Sequence, residues 1–168
     1  VAYESNKGAY STDGITWTEV TLPANRMWNE VTYGNGKFVA VARSSSKGAY
    51  STDGVTWRDV SMPANRNWYT VTYGNGKFVA LVYSGSTGAY SSDGINWTEM
   101  NLIYSRTWQS VTYGNGTFVA VTSSSNDGIY STDGISWTRM VMPANRDWYS
   151  VTYGNGKFVA VAYGSDKG

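Results

Sequence analysis

Apolar residues fall along this chain in short alternating runs, and the runs return every 40 residues. In KFVAVAR, residues 37–43, Phe38, Ala40 and Ala42 point one way and Val39 and Val41 the other. A strand apolar on both faces has to be covered on both. No segment places apolar residues at helical spacing, so no helix is predicted. Two dipeptides punctuate each period, Asp-Gly in STDGI and Asn-Gly in YGNGK. Both tolerate the positive φ that a two-residue hairpin requires, so each predicts a tight turn between antiparallel strands. For one period the strands then run Trp28 to Tyr33, Lys37 to Arg43, Lys47 to Thr52 and Val55 to Ser61.

The period is strict. YSTDGITW at 10–17 returns as YSTDGVTW at 50–57, YSSDGINW at 90–97 and YSTDGISW at 130–137. Aligned from Gly8, the units are 8–47, 48–87, 88–127 and 128–167, with no insertion, and the whole of 1–168 reads as one domain. Residues 1–8, VAYESNKG, overlay residues 161–168, VAYGSDKG. A gapless 40-residue unit of four strands, buried on both faces, predicts an all-β fold, a β-propeller of four four-stranded antiparallel blades. The chain opens and closes inside a strand of the same kind. The expected closure therefore pairs the N-terminal and C-terminal strands, within one chain as a four-bladed monomer or between two chains as an eight-bladed homodimer, hiding edges that invite aggregation.

Composition narrows the chemistry. The 168 residues are 41% hydrophobic and 15% charged, with a formal charge of +1. That balance gives no electrostatic reason to expect a nucleic acid or a membrane surface as partner. No apolar run reaches the roughly 18 residues of a spanning helix. Without Cys or His there are no disulfides, no thiolate sites and neither the commonest metal ligand nor the commonest general base. No cofactor and no metal are expected, and Ser125, Asn126 and Asp127 are too few for an oxygen cage.

The heptapeptide STDGITW resembles the Asp-box, the repeated turn of sialidase-like propellers, through Ser11, Asp13, Gly14 and Trp17 and their counterparts, with one residue fewer between Asp and Trp. The longer pattern W-x-x-V-T-Y-G-N-G-K-F-V-A-V is similar to repeats of phage tail and bacterial surface proteins. The first resemblance implies a folding element away from any active site; the second implies an extracellular or virion setting. Sialidases also draw three arginines from separate blades, with a tyrosine nucleophile, a partnering glutamate and a separate acid. Here most acids belong to the repeat, and only Glu30 and Asp147 break it near arginines. The expectation is that the chain is not an enzyme, unless Glu30 proves buried beside a tyrosine.

Candidate binding residues come from the segments PANRMW, PANRNW, IYSRTW and PANRDW, read as loops. In them Arg26, Arg66, Arg106 and Arg146 persist, each two residues before Trp28, Trp68, Trp108 and Trp148. A guanidinium fork suits carboxylate or sulfate, and an indole face suits a sugar ring. The functional reading is a multivalent, lectin-like module for a glycan or small anion, gaining strength by avidity. Against it stands a seam role, with each Arg stacking on its Trp and pairing with an acid of the next blade. The alternative function is structural, a self-assembling set of repeats, excised or engineered, with no ligand of its own.

Overall fold

The computed structural model describes residues 4–164, and within them every regular element is a strand. They are β1 (Ser5–Tyr10), β2 (Thr18–Gly34), β3 (Lys37–Arg43), β4 (Ser45–Ser51), β5 (Arg58–Arg66), β6 (Trp68–Gly74) and β7 (Lys77–Val82). The rest are β8 (Ser84–Ser91), β9 (Thr98–Gly114), β10 (Thr117–Thr122), β11 (Ser125–Ser131), β12 (Thr138–Gly154) and β13 (Lys157–Tyr163). Each pairs antiparallel with its neighbours in the chain, in a sheet of five, β1 to β5, and a sheet of eight, β6 to β13.

The Asn-Gly turns form as expected. Asn35 and Gly36 have φ of 46° and 72°, both left-handed, and Asn75, Asn115 and Asn155 repeat the geometry with their glycines. The Asp-Gly turns do not. Tyr10 pairs with Thr18, so seven residues separate the strands, and of these only Gly14 has positive φ. Side chains hold the loop open: Asp13 Oδ1 accepts the N–H of Ile15 and of Thr16, each at 2.8 Å, and Ser11 Oγ accepts that of Gly14 at 2.8 Å. The carboxylate gives the backbone partners that a two-residue hairpin would have supplied from the facing strand.

The expected four closed blades are corrected in two respects. First, the PANR segments are strand rather than loop: β2, β9 and β12 each run 17 residues without interruption. Each leaves one set of pairings and enters the next through a register shift, as between Ser5 paired to Arg26 and Lys7 paired to Thr21. Extended backbone joins the units, because Pro23, Pro143 and their flanks have no turn-forming residue at positive φ. Only Asn67 interrupts this course, and there the two sheets part. Second, no pairing among the described residues joins β1 to β13; the strands form an open half-barrel. The overlap of residues 1–3 with 161–163 and the tail 165–168 fall wholly or partly outside the described residues.

Burial follows the repeat. Val39, Ala40, Val41 and Ala42 are wholly buried, as are Val79, Ala80 and Leu81. The Tyr-Gly pairs interlock between units: a Cβ on Gly34, Gly74 or Gly114 would lie 2.0 Å from the ring of Tyr73, Tyr113 or Tyr153. Only glycine permits that approach.

Candidate ligand site

The arginine series sits where successive units meet. Arg26 grips Asp59 of the next unit with two bonds, Nη1 to Oδ1 at 2.6 Å and Nη2 to Oδ2 at 3.1 Å, while its guanidinium lies 5.3 Å from the Trp28 ring. Arg66 reaches Glu99 at 2.9 Å, again 33 residues on. For Arg106 of the third unit, the position 33 residues on holds Arg139 instead of an acid. Arg106 turns to Asp127, whose other oxygen receives Arg139, both at 2.6 Å. The two guanidinium groups hold the Asp127 carboxyl below the usual carboxylate range. Arg146 lines a polar cavity of about 460 Å³ with Ser124, Asp147 and Tyr163.

The tryptophan partners are in the core. Trp28, Trp68 and Trp108 are buried, and Trp148 is half-buried. The indole N–H groups of Trp28, Trp68 and Trp148 donate to the carbonyls of Ala24, Ala64 and Ala144, each at 3.2 Å. Trp108 donates to Gly85 at 3.0 Å instead, in the unit where Tyr104 replaces the alanine and stacks on the indole at 17°. Arg26 and Arg66 thus pair with acids of the next unit, while Trp28, Trp68 and Trp108 pack in the core.

A different set of residues collects on the strands of β2, β6, β9 and β12 that lead to the Asn-Gly turns, toward the strand ends away from those turns. These strands do not pair directly; a side chain bridges each to the next. Glu30 accepts the N–H of Val71 at 2.6 Å, Thr70 that of Val111 at 3.1 Å and Ser110 that of Val151 at 3.3 Å. Burial raises the Glu30 pKa, opposed by the Thr70 hydroxyl and the Val71 N–H. Its hydrogen bonds tie it to neighbouring backbone and hydroxyl, not to a tyrosine.

Beside that bridge, Arg43 donates from Nε to Asn29 Oδ1 at 2.9 Å and lies 4.5 Å from the Tyr69 ring and 5.6 Å from that of Tyr83. The two rings are 4.9 Å apart. Asn29 Nδ2 donates to the Tyr69 carbonyl at 2.5 Å and holds the platform. Tyr69 also engages Tyr149, two units away, so the cluster spans the concave side of the arc. Burial first, then that hydroxyl contact, raises the Tyr69 pKa. Tyr83 and Tyr149 are exposed. On the intervening strand Gln109 Oε1 is buried without a hydrogen-bond partner among the described residues. Residue-type reasoning passed over this cluster because it follows no repeat. Its signal was the disagreement of Asn29, Tyr69, Gln109 and Tyr149 at one position of the unit, and of Arg43, Tyr83, Ser123 and Tyr163 at another.

No protein-family model matches the chain. Nor does any curated protein match it. Solved structures do. Virginiamycin B lyase from Staphylococcus aureus aligns with a TM-score of 0.82 at 19% identity, over 95% of this chain and 57% of the lyase. YCF48 bound to D1 peptide aligns with a TM-score of 0.70 at 15% identity, over 94% of this chain and 55% of that one. A nidogen/laminin complex aligns with a TM-score of 0.67 at 10% identity, over 88% and 60%. The fold is β-propeller-like. The chain spans little more than half the length of the lyases it matches.

These likenesses correct the expectation that the chain is not an enzyme. The architecture carries lyases as well as binding proteins, so the fold gives no ground for setting catalysis aside.

Proposed function

We propose that the chain is a propeller-type recognition module that takes a carboxylate- or sulfate-bearing sugar where Arg43 stands among Tyr69, Tyr83 and Tyr149. The observation that carries this reading is the charge of Arg43. No carboxylate among the described residues pairs with it, whereas Arg26, Arg66, Arg106 and Arg139 all hold one. A guanidinium held by Asn29 and an aromatic face is a preorganised fork for a planar or tetrahedral anion. The exposed tyrosines offer a sugar ring flat apolar surface with a polar rim. The use of the architecture for recognition in YCF48 with its peptide and nidogen with laminin supports the same direction. Multivalency enters this reading through a ring of two copies, in which two such clusters share one axis.

Titration calorimetry with sulfated and sialylated oligosaccharides tests it. Arg43→Ala is expected to abolish binding with melting unchanged. Arg26→Ala is expected to lower melting and leave affinity intact. The opposite pattern, with about four equivalents bound per chain, moves the site to Arg26, Arg66, Arg106 and Arg146 with their tryptophans. No binding of any anionic sugar by the unaltered chain overturns the reading in favour of a purely structural role.

A further inference from the structure

The two ends of the arc carry the two halves of a contact that is complete at each internal seam. Inside the arc, Tyr73, Tyr113 and Tyr153 cover Gly34, Gly74 and Gly114. The series leaves Tyr33 at one end, 59% exposed, and Gly154 at the other, with nothing within 4 Å of a Cβ built on it. Val39 and Val41 are wholly buried under the next unit, whereas their counterparts Val159 and Val161 are 54% and 57% exposed. An apolar cavity of about 390 Å³ opens on the first end, lined by Trp17, Val20, Leu22, Val31 and Trp57. Another of about 340 Å³ opens on the last, lined by Val121, Met140, Met142, Trp148 and Phe158. The free edges match as well: β1 bonds only to β2, and β13 only to β12.

We propose that these faces join a second copy of this chain head to tail, at both ends, closing a ring of two. The repeat dictates the contacts. In the register that pairs Val39 with Tyr50 and Ala40 with Ala49, Val159 meets Tyr10 of the second copy and Ala160 meets its Ala9. Tyr33 of one copy seats on Gly154 of the other. Ser150 Oγ, the next member of the bridging series, accepts the second copy's Val31 N–H. Asn35 and Asn75 donate to the carbonyls of Ser92 and Thr132, each 57 residues on; the same spacing brings Asn115 to the second copy's Thr12 and Asn155 to its Thr52. The arc covers 57% of a propeller-like lyase chain, somewhat more than half of it, so two arcs suffice to complete a turn. A second copy fits because the missing half of each contact is this chain's own sequence. The inference rests on the two-copy part of the proposed function and is independent of the sugar.

Light scattering on the 168-residue chain is the test. A mass of about 37 kDa, twice the 18.4 kDa of one chain, is expected across micromolar concentrations. Gly154→Val and, separately, Tyr33→Asp are expected to give the single-chain mass with an unchanged β-sheet spectrum, since both sites are open in one copy. Gly114→Val, beneath Tyr153, is expected to fail to fold. Arg43→Ala is expected to keep the doubled mass, so loss of sugar binding and loss of assembly are read separately. A single-chain mass at every concentration overturns the proposal, as does growth into larger species. So does a doubled mass that survives either Gly154→Val or Tyr33→Asp.

Discussion

The acidic residues of the octapeptide turn are held by their own backbone, and that makes the fold sensitive to acid. The N–H groups of Thr16 and Ile15, with the Ser11 hydroxyl, lower the Asp13 pKa to about 2. At Asp133 burial works the other way but is outweighed by the N–H groups of Ile135 and Ser136 and the Ser131 hydroxyl, and the result is again about 2. Asp53 and Asp93 are lowered as well. A carboxyl whose pKa is depressed by folding, against roughly 3.9 in an unfolded chain, adds stability that is fully present above the unfolded value. It is lost as pH falls through the folded one. Melting temperature is therefore expected to be level from neutrality to about pH 5 and to fall between about pH 4 and pH 2. Asp133→Asn keeps an acceptor oxygen without the charge, so it should lower melting at pH 7 and flatten the acid fall. An acid slope unchanged in the variant would assign it to other carboxylates.

At the scale of elements, the ion pairs show how far pattern alone could go. The 40-residue unit, the strand Lys37–Arg43 covered on both faces and the Asn-Gly hairpins were all legible, since each depends on neighbours close in sequence. The Asp-Gly loop was not, because its length is set by where the Ser11 and Asp13 side chains bond, and the dipeptide is equally at home in a two-residue turn. The length of β2 and β12 was hidden by Pro23 and Pro143, which read as loop residues, yet sit at the register shifts where no ladder N–H is needed. Arg26 and Arg66 were legible as seam residues by type; their common spacing of 33 to an acid emerged only with the strands in place. The third unit departs from that spacing by inversion. Lys7 pairs with Glu19 across β1 and β2, whereas Asp127 pairs with Arg139 across β11 and β12. Asp127→Lys should leave Arg106, Arg139 and the new cation together and lower the melting temperature. Adding Arg139→Glu should recover most of the loss, since the carboxylate then introduced would face Arg106 as Glu99 faces Arg66. Failure of the double variant to recover would mean that Asp127 acts through its packing instead.

At the scale of the whole molecule, one side chain repeated four times lies in different surroundings according to its place in the arc. Trp137 is 6% exposed, rests 6.4 Å from the Phe118 ring and packs in one core cluster with Val79 and Leu81. Trp57 and Trp97 are intermediate and donate to the carbonyls of Gly54 and Gly94. Trp17, at the open first end, is 63% exposed, because the Phe that would carry it belongs to a unit the arc does not contain on that side. Stability is then expected to be graded along the chain, although the sequence is nearly periodic. Removing Trp137 empties a closed site and is expected to cost about 3–5 kcal/mol of unfolding free energy. Removing Trp17 takes away surface that water already covers, so under conditions that keep the chain single its cost should be a small fraction of that. Joining of the two ends would bring Phe158 of a second copy over Trp17, so the cost of Trp17→Ala should rise with protein concentration while that of Trp137→Ala stays constant. Denaturant titrations of both variants at low and high concentration measure the two costs directly. Equal costs at low concentration would show that the first unit is covered in the single chain and that the arc is closed on itself.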